Sequence, residues 1–449
     1  MGLTSRAAGR PTAPPKPPPA AGLPARRAAA AILFAVLEQR RPLDEALAEW
    51  RDDTLAGRDR AFARRLVATA LRRLGEIDAV LAGHLAQPLE RAHPRARSAL
   101  RLGVAQIVHL GTPAHAAVSA TVATLDGHGT ERLKGLVNAV LRKVAAAGHA
   151  PREGVAAARK NTPQWLWTTW ERAYGADGAA AIAAAHLADP PLDLTVPDDA
   201  DGWAARIGGL VRPTGTVRVV DAGPVAELPG YAEGAWWVQD AAAALPVRLL
   251  GDVAARSVLD LCAAPGGKAA QLAAAGARVT AVDLSPRRSR TLAANLERLA
   301  LAVEIVTADA VAWRPEEPAD AVLVDAPCSA TGTIRRHPDI LHLRHPEEID
   351  RLLPLQDRLL AAAVEMVKPG GRIVFATCSL QPEEGMARIR ALLESGAPVV
   401  LDPVRPEELP GLPEAAAADG TLRTLPSFWP EAGGMDGFFA ARLRRLPVG

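Results

Sequence analysis

The chain carries three cysteines, and two of them stand at comparable places. Cys328 closes the run Asp325-Ala326-Pro327-Cys328, and Cys378 lies in Thr377-Cys378-Ser379. Each follows a short apolar run of the kind a buried strand shows, at 321–324 and 372–376. A third stretch, 257–268, reads Ser-Val-Leu-Asp-Leu-Cys-Ala-Ala-Pro-Gly-Gly-Lys. Its apolar run gives way to Ala263, Ala264, Pro265, Gly266 and Gly267, with no bulky side chain before Lys268, and then to a helical pattern. Small residues let a ligand approach the backbone closely. The next expected strand, 278–282, ends on Asp283, close to the place where nucleotide-type α/β units grip a ribose. The loop has neither the G-x-G-x-x-G of dinucleotide enzymes nor the ending of a phosphate loop, because Ala269 follows Lys268. A cofactor with a ribose and no phosphate fits, and S-adenosylmethionine is the candidate.

Two thiols at the mouth of a methyl-donor site invite one reaction. Carbon 5 of cytosine is a poor nucleophile. A thiolate adding to carbon 6 makes the ring enamine-like, and carbon 5 can then take a methyl group. A base removes the proton from carbon 5, and the thiol is eliminated. Cysteine suits this role because a few per cent of a free thiol is already thiolate at neutral pH. Asp325 is placed to hydrogen-bond a protonated ring nitrogen. The residues alone do not choose which of Cys328 and Cys378 attacks. Cys262, inside the small-residue stretch, reads first as a small buried hydrophobe.

The elements that must position these groups alternate. Strands are expected at 258–261, 278–282, 303–307, 321–324 and 372–376, with helices at 269–275, 288–301, 347–367 and 384–393. Two last strands, about 421–428 and 437–443, would close the sheet as an antiparallel pair. Such alternation means a mostly parallel, doubly wound sheet whose ligands lie beyond the carboxyl ends of the strands. Asp260, Asp283, Asp309, Asp325 and Cys378 all fall at or just past such ends.

A chain of 449 residues is too long for one ordinary domain. Residues 1–24 are rich in proline and alanine and read as a disordered tail. Helical periodicity fills 25–147, with arginines around the apolar stripes; 148–160 reads as a polar, basic linker and 161–235 as a small α+β adaptor. The catalytic domain is expected over 236–449. Residues 1–160 hold 25 Lys+Arg against 13 Asp+Glu, and the remainder holds 27 against 37. A front half at net +12 and a rear half at net −10 suggest an anionic partner for the front, most simply nucleic acid. An odd cysteine count without C-x-x-C spacing indicates neither a disulfide framework nor a zinc site, so no metal is expected and a reducing cytoplasm is. No apolar run reaches membrane-spanning length, and the N-terminus lacks the apolar core of a signal peptide.

The stretch 260–268, Asp325-Ala326-Pro327-Cys328-Ser329 and Thr377-Cys378-Ser379 resemble the signature motifs of the RNA cytosine-C5 methyltransferases. So do Thr331-Gly332-Thr333-Ile334-Arg335-Arg336-His337-Pro338-Asp339 and the terminal Asp436-Gly437-Phe438-Phe439. The front domain resembles the NusB-like RNA-binding fold at 113–118 and 133–142, and the domain order is similar to the RsmB (Sun/Fmu) branch of the family. The resemblance implies three parts: an N-terminal all-α NusB-like bundle, a small α+β adaptor and a C-terminal α/β Rossmann-like class I methyltransferase domain. It implies Cys378 as nucleophile and Cys328 as the group that helps release methylated RNA. The loop Cys262, Ala263, Ala264, Pro265, Gly266, Gly267, Lys268 would hold S-adenosylmethionine together with Asp283 on the ribose, Asp309 near the adenine, and Asp325. Lys268 is expected at the methionine end of the cofactor or at the RNA. Arg335, Arg336 and His337 are assigned to RNA phosphates. The expected substrate is ribosomal RNA of the small subunit, with the target base unstacked, and the expected state a monomer.

Two other readings stand beside this one. An S-adenosylmethionine enzyme acting on another RNA such as tRNA is one; an enzyme acting on an exocyclic amine or a protein side chain would leave two thiols unused. An N-methylating enzyme would also want Asn/Asp-Pro-Pro-Tyr/Phe where Asp-Ala-Pro-Cys stands. A non-catalytic RNA-binding or assembly factor would not need the strand-end groups.

Overall fold

The structure, a computed structural model, describes residues 22–447 except 51–54, 56, 128 and 221. Residues 1–21 of the expected tail lie outside the described residues, and the first helix begins at Leu23, inside that segment.

The front of the chain is a helical bundle: α1 (Leu23–Gln39), α2 (Leu43–Glu49), α3 (Gly57–Arg72), α4 (Leu74–Ala82), α5 (Pro94–Val104), α6 (Ala114–Ala123) and α7 (Lys134–Ala146). The apolar stripes meet in one core: Ile32 and Leu33 of α1, Leu66 and Leu71 of α3, Leu100 of α5, Val137 and Leu141 of α7. Each side chain at this spacing faces the same side of its helix, so burying the stripe fixes the helix's rotation. Arg60, Arg64 and Arg65 on α3 stay exposed.

The segment read as a linker is folded. It contains α8 (Gly154–Asn161), in which Ala157 and Ala158 are buried. The long α9 (Gln164–Ala185) follows, bent at Gly175, whose φ is 76°. Leu166, Trp170 and Ile182 of α9 pack against Ile334, Leu341 and Leu380 of the rear domain. These helices therefore buttress loops of the rear domain instead of joining a free-standing adaptor. The adaptor's own sheet is antiparallel, ordered β2-β3-β1-β4, from β1 (Leu192–Thr195), β2 (Leu210–Val211), β3 (Val217–Val219) and β4 (Trp237–Val238), with α10 (Ala200–Ile207) against it. Its fourth strand crosses the boundary expected at 236, because Leu194 and Thr195 pair with Val238 and Trp237.

The short α11 (Leu245–Arg248) leads into the rear domain. Its strands are β5 (Ser257–Leu261), β6 (Arg278–Asp283), β7 (Glu304–Thr307), β8 (Ala319–Asp325), β9 (Val367–Thr377), β10 (Val399–Leu401), β11 (Leu422–Arg423) and β12 (Phe439–Arg445). The helices between them are α12 (Gly267–Ala274), α13 (Pro286–Arg298), α14 (Ile340–Leu343), α15 (Pro346–Met366) and α16 (Met386–Glu394). The sheet runs β10-β12-β9-β8-β5-β6-β7, with β11 paired to β12. The central strands β9, β8, β5, β6 and β7 are parallel, and β12 is antiparallel to β9, β10 and β11. The closing pair expected at the end of the chain is thus β11 and β12. The strand β10 was not expected; it is only three residues long, too short for periodicity to show. Residues 368–371, between the helix expected to end at 367 and the strand expected from 372, lie inside β9, where the pairing with β8 shifts register.

The chain leaves β5 toward β6 and β7 on one side, then returns to β8 and β9 on the other. The order reverses between β5 and β8. Loops there diverge to opposite faces of the sheet and open a crevice at the carboxyl ends. Among the described residues no helix is long and apolar enough to cross a membrane, and no cluster of three or more His, Cys, Asp or Glu could hold a metal ion.

Candidate active site

An open cavity of about 530 Å³ lies at that reversal. Ala263, Ala264, Pro265, Gly267 and Lys268 line it from the β5 loop, Asp325 from the end of β8, and Cys378 from just beyond β9. Asp260, Arg336, His337 and Phe438 also face it. The volume is within the range of pockets that enclose a cofactor-sized ligand, roughly 300–1,000 Å³.

The loop is built by backbone turns. Cys262 adopts φ 63° and turns the chain off β5. Burial first, then Asp325 and Asp283, push its thiol up to about 12, so Cys262 stays a neutral packing group. Gly266 takes φ 109° and caps α12, a conformation that a Cβ would strain. The N-terminus of α12 borders the crevice at Gly267 and Lys268, and the positive end of the helix dipole there suits a carboxylate.

Lys268 Nζ donates to Asp325 Oδ2 at 2.7 Å and stands 5.1 Å from the centroid of Phe438. Burial works against its charge, but the charge and hydrogen bond of Asp325, then Asp260, outweigh it and raise its pKa. Asp260 is fully buried on β5, and neither carboxylate oxygen has a protein partner. Burial pushes its carboxyl up to about 8 against the pull of Lys268.

The two sulfurs are adjacent. Cys328 Sγ and Cys378 Sγ lie 3.5 Å apart. The hydrogen bond to Cys378, then burial, hold the Cys328 thiol well above its ordinary value, and either sulfur can be the donor in their contact. Of the three cysteines, Cys378 is the one that lines the cavity.

Asp283 is buried at the end of β6. Its Oδ2 accepts from the Ala264 N–H at 3.1 Å and its Oδ1 from the Ser285 N–H at 3.0 Å, so it props the loop from behind. Asp309 is exposed two residues past β7 and accepts from the Val311 N–H at 2.9 Å. Neither residue is among those lining the cavity.

One expectation needs correction. Arg335 is 1% exposed, so it has no face to offer a phosphate. Its guanidinium meets Asp240 at 3.1 Å and Asp436 at 3.5 Å and donates to the Gly433 carbonyl at 2.6 Å. It is a clamp between chain segments. Arg336 binds Asp436 through Nε at 2.7 Å while reaching the cavity, and His337 Nδ1 lies 3.3 Å from Asp44. Asp44 and Pro42 belong to the helical bundle and form one lip of the cavity. The bundle is fastened there: the Leu43 N–H donates to Asp339 at 2.9 Å, and Arg40 donates to the Leu343 carbonyl at 2.7 Å. Sequence reasoning missed this lip, because nothing in 42–44 carries a local signature.

The terminal motif is explained by contact with the others. The Gly437 N–H donates to the Gly332 carbonyl at 2.8 Å, and the Gly332 N–H donates to the Cys378 carbonyl at 3.0 Å. Three motifs far apart in the chain thus hold one sulfur.

A doubly wound sheet with a small-residue loop at its switch point, unpartnered acid oxygens in the crevice and a thiol beside them has the arrangement of a methyltransferase. The donor set fits S-adenosylmethionine, since Asp260 offers two buried oxygens that the protein leaves unpaired. Comparison with known proteins gives the family. Residues 247–444 match the 16S rRNA methyltransferase RsmB/F model, and 23–146 match the NusB family. The ribosomal RNA small subunit methyltransferase B of Xanthomonas campestris is 38% identical over 404 residues, covering 86% of this chain and 91% of the relative. That of Xylella fastidiosa is 37% identical over 437 residues, covering 94% and 98%. The crystal structure of PH0851 superposes with a TM-score of 0.75 at 23% identity, over 94% of this chain and 99% of that one, and supports the fold. The chain belongs to the RsmB/F family of 16S rRNA methyltransferases, with a NusB-family domain in front. It is an S-adenosylmethionine-dependent RNA methyltransferase.

Proposed function

We propose that the protein methylates carbon 5 of a cytosine in small-subunit ribosomal RNA through a covalent bond from Cys378 Sγ to carbon 6. The observation that carries this reading is the pairing of Cys378, facing the cavity, with Cys328, whose sulfur lies 3.5 Å away.

The backbone of 262–268 cradles the cofactor, with Asp283 and Asp309 serving its adenosine end from the ends of β6 and β7. When bound, S-adenosylmethionine supplies the electrophilic methyl group. Cys378 adds as thiolate to carbon 6, and the electron pair moves into the ring. Lys268 engages Oδ2 of Asp325, which leaves Oδ1 for the polar edge of the base. After carbon 5 loses its proton to a base, the carbon–sulfur bond breaks and the thiolate leaves. Cys328 assists that last step from behind Cys378. Arg336 and His337 meet phosphates at the cavity mouth, and the exposed arginines of α3 extend the track across the bundle. The enzyme works as a monomer in the cytoplasm, where its three free thiols persist.

The test incubates protein, cofactor and small-subunit RNA, then repeats it with Cys378→Ala and Cys328→Ala. Loss of 5-methylcytosine in Cys378→Ala and a trapped protein–RNA adduct in Cys328→Ala are expected. Full activity of Cys378→Ala would falsify the nucleophile assignment.

A further inference from the structure

Both cysteine loops rest on one buried carboxylate. Glu384 is 0% exposed and lies outside the residues that line the cavity. Its Oε1 accepts from the Ser329 N–H at 2.8 Å and from Gln356 Nε2 at 3.1 Å. Its Oε2 accepts from Ser329 Oγ at 2.5 Å and from Ser379 Oγ at 2.6 Å. Ser329 follows Cys328, and Ser379 follows Cys378. Gln356 also donates to the Pro327 carbonyl at 2.9 Å, so the residue before Cys328 is tied to the same point.

This arrangement meets a geometric need. The two sulfurs come from loops beyond β8 and β9, where the ladder that keeps neighbouring strands about 4.8 Å apart has ended. Without cross-links, loops beyond a sheet edge diverge. Burying a carboxylate is costly unless its oxygens are hydrogen-bonded, and an apolar side chain would fill the same space at less cost. A carboxylate with two partners from one cysteine loop and one from the other is a bridge, which an apolar side chain cannot be.

We propose that Glu384 is a positioning residue that sets the separation of Cys328 and Cys378, and so couples release of the RNA to attack on it. The coupling rests on the roles proposed above for the two cysteines; the separation does not. The charge of Glu384 adds to the Cys378 hydrogen bond and burial in keeping Cys328 protonated. Removing that charge while keeping the shape loosens the tie between the two loops and makes the Cys328 proton easier to lose.

The test uses the full chain with Glu384→Gln, which preserves shape, and Ser379→Ala, which cuts the link to the Cys378 loop alone. Melting temperature and cofactor binding are measured first. Iodoacetamide labelling of the free enzyme, read by mass spectrometry as a function of pH, then gives the ratio of Cys328 to Cys378 reactivity. In Glu384→Gln this ratio rises about threefold or more, up to the roughly tenfold that one unit in a thiol pKa would give. With RNA, adduct formation stays within about twofold of the unmodified enzyme while released product falls about tenfold, so adduct accumulates. Ser379→Ala moves both ratios the same way by a smaller factor, and it decides the matter if Glu384→Gln does not fold. Unchanged labelling ratios, or adduct and product falling together with cofactor binding, overturn the proposal. Absence of any adduct in the unmodified enzyme would instead overturn the covalent mechanism, and the labelling ratio still reads the role of Glu384.

Discussion

Cys328 Sγ stands 3.5 Å from Cys378 Sγ, near enough to share a proton and too far for a sulfur–sulfur bond. Two thiols on neighbouring strand ends can be joined by a mild oxidant. Diamide is expected to abolish methylation, with dithiothreitol restoring it. In Cys328→Ala, where the adduct is trapped, adduct formation is expected to be insensitive to diamide. Mass spectrometry of the oxidised protein checks it: a cross-linked Cys328–Cys378 peptide pair is expected, and inhibition without it would refute the juxtaposition.

Lys268 sits between Asp325 and the ring of Phe438. Lys268→Met removes the charge and keeps most of the stem. A preorganised charge facing a reacting group is worth about 10²–10³ in rate. A fall of about that size in kcat is expected, with RNA affinity nearly unchanged. Steady-state and single-turnover kinetics separate the two.

Asp260 gives a pH signature. Its folded pKa of about 8 lies above the ordinary carboxylate value, so the native state binds the extra proton. Stability from this group is full below the unfolded pKa and is lost as pH rises through about 8. The slope cannot exceed about 1.4 kcal/mol per pH unit. Asp260→Asn is therefore expected to flatten the fall of melting temperature between the ordinary carboxylate pKa and about pH 8, measured without cofactor. An unaltered decline would show that the carboxyl is not held protonated.

Arginines at the front of the site sort by burial. Arg335→Met leaves Asp240 and Asp436 short of a partner and is expected to cost about 3–5 kcal/mol of stability. Among variants that remain folded, it should not alter the salt slope of RNA binding. Arg64→Ala, on the exposed face of α3, should leave stability alone and reduce the slope of log K against log salt by about 0.7–0.9. Titrations at several salt concentrations decide between the two behaviours.

Gly332 has no room for a side chain. A Cβ there would stand 1.9 Å from the Gly437 carbonyl oxygen. Gly332→Ala must move the backbone that holds the Cys378 carbonyl, at an overpacking cost of about 1–3 kcal/mol. Methylation is expected to fall more than cofactor binding does, as calorimetry and turnover together would reveal.

Much of the site was legible because it is local. The loop 262–268, the acids at strand ends and the thiols of 328 and 378 all follow apolar runs whose burial forces a strand. A chemistry-bearing residue just past such a run must sit at a sheet edge. Arg335 and Arg336, by contrast, are neighbours with identical side chains and opposite fates. One is sealed against Asp240 and Asp436, and the other reaches the cavity. No pattern in 331–339 distinguishes them, since their partners come from distant segments. Segment 148–160 looked like a linker because α8 is short and polar; its burial comes from packing against α4 and α9, which its own periodicity does not encode.

The amino-acid order by itself determined which residues end strands, where the backbone must be small, and which side chains have the chemistry of attack. These depend on contacts within a few residues, and a period of two or three to four residues reports them. Only the tertiary structure decided that β5 lies beside β8, that Cys378 faces the crevice with Cys328 behind it, that Glu384 ties their loops, and that Pro42 and Asp44 of the bundle form a lip of the cavity. Those relationships join residues tens to hundreds of positions apart, and the free energy that selects among such pairings belongs to the whole packed core and not to any one stretch of chain.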